Sequence, residues 1–210
     1  MSSTTTPAAV GEQTAAEIYD CDPYSWSVEQ ADALRRRDFD AVDWDNVIEE
    51  IESVGRSEEH TWTSLCSNTI EHLLLIEHHR EADKGTLNFW VRELRNFRLQ
   101  MASTISDNPG LQGKYPLMFR KAWRVGRESA RLKLADYDNS IAGATSEKTL
   151  LQQRDRSLPK QCPYRFDDVT AFDLKRNEQV PRTDVWPPSV ARILNSRLGE
   201  DYPVRHERTQ

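Results

Sequence analysis

The sequence predicts an all-α protein: a helical bundle of three or four longer helices with short peripheral helices. Three observations carry that expectation. Apolar residues recur at helical spacing over long stretches, most clearly Leu87, Trp90, Val91, Leu94, Phe97, Met101 and Ile105. Alternating β-branched runs are few, and no internal repeat or Gly-rich phosphate loop is present. The chain has 210 residues, 37% of them hydrophobic and 30% charged, enough apolar surface for one core but lean for two.

Taken in order, residues 1–18 are rich in Ser, Thr and Ala without periodicity and are expected to be disordered. "YDCDPYSWS" reads as an extended segment that packs its rings on the body. Ser27 and Gln30 form a capping-box pattern that opens a short helix ending near Asp38. Asp43 caps the next helix, in which Trp44, Val47, Ile48, Ile51 and Val54 form an apolar stripe; Gly55 marks a bend or pause. The pattern resumes through Trp62, Leu65, Cys66 and Thr69, and from Leu73 to Ile76 it is apolar on nearly every side, as in a buried helix. Thr86 caps the helix of the clear stripe, and Pro109 ends it. A further helix opens near Pro116 and turns Phe119, Ala122, Trp123, Gly126, Ala130 and Leu134 inward. "SEKTLLQQRD" supplies one or two helical turns, "SLPKQCPYRF" is extended, and Pro188 starts a short helix with Val190, Ile193, Leu194 and Leu198 on its docking side. The organisation expected is a disordered segment 1–18, a helical-bundle domain 19–170 and a C-terminal extension 171–210.

The formal charge is −6, so the whole chain has no generic attraction to nucleic acid or anionic membrane. No apolar run approaches the roughly 20 residues needed to span a bilayer, and the N-terminus lacks the pattern of a secretory signal. Three cysteines, Cys21, Cys66 and Cys162, without CxxC spacing suit reduced thiols in a cytoplasmic protein. No cofactor is expected.

"VIEEIES" places Glu49, Glu50 and Glu52 within four positions. With the Trp44–Val54 stripe as the core direction, Glu49 lies about 160° away and Glu50 and Glu52 about 100° off on opposite flanks. Glu52 is four residues before Arg56, a favourable pairing. A solvated acidic face is the simple account. His72 and Arg98 are harder to place on a surface, because each falls inside an apolar arc. A buried arginine keeps its proton and calls for a partner, for which Glu50 or Glu52 is a candidate. Two readings follow. One is a structural pair with a hydrogen-bonded core histidine. The other is a pocket lined by Glu50, Glu52, His72 and Arg98, binding a ligand or serving metal-assisted hydrolysis. No Glu-x-x-His pair supports a di-iron centre; no metal is expected, and a single ion would take Glu50, Glu52 and His72.

The same residues carry a resemblance. "YDCDPYSW", "DWDNVIEEIESVGRSE", His72-Leu73-Leu74, Trp90 followed by Arg98, "DNPGL" at 107–111 and "LPKQCPY" at 158–164 occur in order over residues 19–170. In this the chain resembles domain-of-unknown-function family 29, a group of bacterial helical proteins. It departs from the family pattern at Leu75 and Ile76, where Lys-Trp is usual, at Phe89 in place of Ser, and at Trp123 in place of Tyr. The resemblance implies a helical fold and no established activity, and it coincides with the polar cluster Glu49, Glu50, Glu52, His72 and Arg98.

Charge is segregated. Residues 43–59 carry seven acidic side chains against Arg56 alone, whereas residues 114–133 carry seven basic ones against Glu128 alone. The basic run, including Arg120, Lys121, Arg124, Arg127 and Arg131, avoids the apolar stripe and is expected to form an exposed face. A protein partner or homo-oligomer through charged helical faces is the first expectation. Nucleic acid on the basic face is an alternative, less favoured because no aromatics are interleaved for stacking, and no membrane association is expected. The serines show no nucleophile elbow, Cys66 belongs to an apolar stripe, and Cys162 has no neighbouring histidine in sequence.

Overall fold

A computed structural model of the chain describes residues 14–142, 146–180 and 186–203. Most of the segment expected to be disordered, residues 1–13, and the last residues of the tail lie outside that range. The described residues form an all-α protein with eight helices and one two-stranded ribbon. The chain divides into two compact units, residues 1–57 and 58–210, and the division falls within a helix, α3.

In the first unit, α1 (Ala15–Cys21) starts at Thr14, which forms a capping box with Glu17. α2 (Pro23–Arg36) follows after one residue. The stretch expected to be extended is therefore helical. The Asp22-Pro23 pair explains it: the Asp22 carboxylate accepts from the Ser25 N–H at 3.1 Å, and proline at the first helical position has its φ already set. This start precedes the one expected at Ser27. The rings of Tyr19 and Trp26 do pack, edge to face on each other at 4.8 Å. Asp43 caps α3 (Trp44–His78) by accepting from Asn46 N–H, and also accepts from Trp26 Nε1 at 3.3 Å. Trp26, Ala33, Val42 and Val47 make the small core of this unit. Gly55 does not interrupt α3.

The second unit contains the remainder of α3, then α4 (Lys84–Asp107), α5 (Tyr115–Ala142), α6 (Glu147–Ser157), α7 (Phe166–Thr170) and α8 (Pro188–Leu198). α4 begins two residues before Thr86, because the Asp83 carboxylate takes the cap and accepts from Thr86 N–H at 2.6 Å. α6 is three turns long, longer than the sequence pattern suggested, and is capped by Ser146. β1 (Phe172–Asp173) and β2 (Glu178–Gln179) pair antiparallel with Phe172 opposite Gln179. The core gathers Trp62, Ile70, Leu73, Leu74, Leu75, Ile76, Leu87, Leu94, Met101, Ala122, Leu134, Trp186, Val190 and Leu194. The expectation that Leu73–Ile76 is buried on all sides holds: each is at most 1% exposed.

α3 and α5 touch through their backbones at Gly126. A Cβ there would collide with the Ser67 carbonyl oxygen and meet Ile70 at 3.0 Å, so only glycine permits the approach. α8 starts at Pro188, as its sequence indicates, and ends at Gly199, whose φ of +78° supplies the left-handed C-cap. Its Val190, Ala191 and Leu194 are part of the core. No helix among the described residues is long and apolar enough to cross a membrane.

Candidate functional site

The first turns of α3 differ from the pattern read in the sequence. The stripe of Trp44, Ile48, Ile51 and Val54 was expected to face a core. Only Val47 does; Trp44, Ile48, Ile51 and Val54 are 47%, 51%, 69% and 66% exposed. α1 and α2 present their apolar side chains to the Val47 side, which lies about 60° around the helix from Trp44. The remaining apolar residues are left as an exposed row. Beside it run carboxylates. Arg56 bridges Glu49 at 2.5 Å and Glu52 at 3.3 Å, the latter being the i,i+4 pair expected. Glu50 accepts from Tyr19 Oη at 2.7 Å. All three glutamates are exposed.

Arg98, on α4, is fully buried. Its Nε donates to the carbonyl of Val169 at 3.1 Å and its Nη2 to the carbonyl of Asp168 at 2.5 Å. Its guanidinium lies over the ring of Trp186, 4.8 Å from the centroid, in cation–π contact. The hydrogen-bond partners are thus main-chain carbonyls at the end of α7, a chemistry that sequence spacing does not reveal. Burial pulls the guanidinium down to about 10, with the nearby Asp168 opposing, so it remains cationic at neutral pH. The same burial raises the Asp168 carboxyl.

His72 is 7% exposed. Its Nδ1 donates to the carbonyl of Asn68 at 2.9 Å, and its ring meets Phe97 edge to face. Burial, opposed by that hydrogen bond, holds the imidazole below its ordinary range. Next to it is a residue the sequence reading passed over. Glu71 is 4% exposed and accepts from Ser129 Oγ and, at 2.5 Å, from Lys133 Nζ. This buried carboxylate ties α3 to α5. The available signal was a glutamate between Ile70 and His72 in an otherwise apolar run.

The basic run of α5 is only partly free. Arg127 donates to Asp155 and to the carbonyls of Asp155 and Pro159, which fastens α6 and the following loop. Arg131 pairs with Glu128, Lys133 with Glu71, and Lys114 with Glu59. Arg120, Lys121 and Arg124 are exposed and have no partner among the described residues. Lys121 and Arg124 border a groove of about 680 Å³ whose other lining residues are Thr63, Val125, Glu128, Ser129 and Leu132.

Among the described residues no group of three His, Cys, Asp or Glu side chains is placed to hold a metal ion. Cys66 is buried, and burial raises its thiol; Cys162 is half-buried and pushed up to about 11. Both are protonated at neutral pH and are poor nucleophiles there. A family model described as "Domain of unknown function DUF29" matches residues 18–174. No curated protein and no solved structure matches the chain.

Proposed function

The chain belongs to the DUF29 family, whose function is unknown, and from that premise we propose that it is a non-enzymatic interaction module acting through charged helical faces. One observation carries the reading: the exposed row of Trp44, Ile48, Ile51 and Val54, bordered by carboxylates. Four large apolar side chains at helical spacing are unfavourable in water, costing about 25 cal/mol for each Å² of apolar surface left uncovered. A contiguous patch of this kind with a charged margin is the usual anatomy of a binding face.

Two further observations favour this reading over phosphate binding or a ligand pocket. Arg127 and Arg131 spend their donors on α6 and Glu128, which leaves few cations for a nucleic-acid backbone. Arg98 spends two donors on main-chain carbonyls. The test is affinity capture with the purified full chain as bait, comparing wild type with Ile51→Asp. Because Ile51 is exposed, the variant keeps its fold. A partner held by wild type and lost by the variant supports the module; equal capture by both would remove the row from the argument.

A further inference from the structure

We propose that the partner of the row is a second copy of this chain, and that the row of one copy docks in the α5 groove of another. This rests on the row being a binding face and goes further by assigning its occupant. The groove matches the row in apolar spacing and in charge. Val125 and Leu132 line it and are 56% and 44% exposed. They are seven residues apart on α5, and Trp44 and Ile51 are seven apart on α3. Each spacing is two helical turns, about 10.5 Å. An apolar pair on one helix therefore meets an apolar pair on the other at the same repeat.

The charges complete the match. Lys121 and Arg124 stand at the groove with no carboxylate partner among the described residues, whereas the single lining carboxylate, Glu128, is already paired with Arg131. Asp45 and Glu52 flank the row on one side, with Arg56 as their only basic neighbour there; Glu49 lies farther round the helix, joined to Glu52 through Arg56. Row against row would bring two acidic flanks together; row against groove brings opposite signs together, which also selects the orientation. A contact between two different patches is heterologous, so it closes into a pair only if both copies exchange rows, and otherwise grows head to tail.

The test uses the full chain and its mass in solution across concentration, at low and high salt. Two double variants are compared: Asp45→Lys with Glu52→Lys, and Lys121→Glu with Arg124→Glu. All four positions are exposed, and circular dichroism checks that each variant is folded. Wild type should exceed the 24.3 kDa of one chain at low salt and fall toward it as salt rises. Each variant alone should remain at one chain's mass. Mixing the two should restore association, because each reversed row then faces a reversed groove. Association that survives Lys121→Glu with Arg124→Glu but is lost with Ile51→Asp would overturn the groove and leave the row as a self-contact. A wild type that stays at one chain's mass throughout would overturn the second copy as occupant, and capture of a different protein dependent on Ile51 would still uphold the interaction module.

Discussion

Replacing Arg98 with methionine should destabilise the second unit by roughly 3 kcal/mol. Two hydrogen bonds from a charged donor disappear, and the carbonyls of Asp168 and Val169 are left buried without that donor. Each stranded carbonyl costs about 1–3 kcal/mol. Methionine refills much of the volume and keeps a contact with the Trp186 ring. Removing a fully buried cation also returns part of its desolvation cost, since Arg98 Nη1 has no hydrogen-bond partner among the described residues. The net is therefore below the sum of the two losses. Urea unfolding followed by tryptophan fluorescence measures the shift, and amide hydrogen exchange should show its largest local effect over residues 166–174. Adding Asp168→Asn separates two accounts. If main-chain carbonyls are the partners, the double variant gains nothing over Arg98→Met. If the Asp168 carboxylate were the true counter-charge, neutralising it would recover much of the loss. Recovery, or an Arg98→Met protein as stable as wild type, would refute the reasoning.

Gly126→Ala should cost about 1–3 kcal/mol, because the added methyl forces α5 away from the Ser67 carbonyl and Ile70; an unchanged melting midpoint would mean that the helices separate freely there. His72 should make stability depend on pH. Its folded-state pKa lies below the unfolded value of 6.5, so its contribution is full above pH 6.5 and is lost as pH falls from there toward the folded value. The difference in stability between wild type and His72→Gln should accordingly shrink between pH 7 and the acid side of that window, and a difference that grows on acidification would reverse the assignment.

Much of the fold was legible because helical periodicity reports burial on one side of one helix. The α8 docking residues, the buried turn at Leu73–Ile76 and the inward Gly126 all follow from spacing alone. The α3 row was misread for a physical reason. Periodicity shows that Trp44, Ile48 and Ile51 share a face, but not whether anything covers it. Val47, one step round the helix, was the residue that found a neighbour. Cap positions were displaced where Asp competed with Ser or Thr, as at Asp22 and Asp83. At the polar sites, sequence pointed to Arg98 and His72 as interior residues, and both are buried. Their partners were not readable, since a main-chain carbonyl seventy positions away has no signature in residue type. Glu71 escaped notice because its hydroxyl and ammonium partners lie on α5.

The cation–π contact between Arg98 and Trp186 reaches across the edge of the family match. The matched segment ends at residue 174, yet the ring that shields the guanidinium and the helix that follows it come later in the chain. Recurring sequence and foldable unit therefore have different borders here. A chain ending at residue 174 would open Arg98 to water on one side and strip Val190, Ala191 and Leu194 from the core. A relative that keeps this arginine but diverges after that point would need some other roof over it, and the kind of roof would be a physical way to sort such chains.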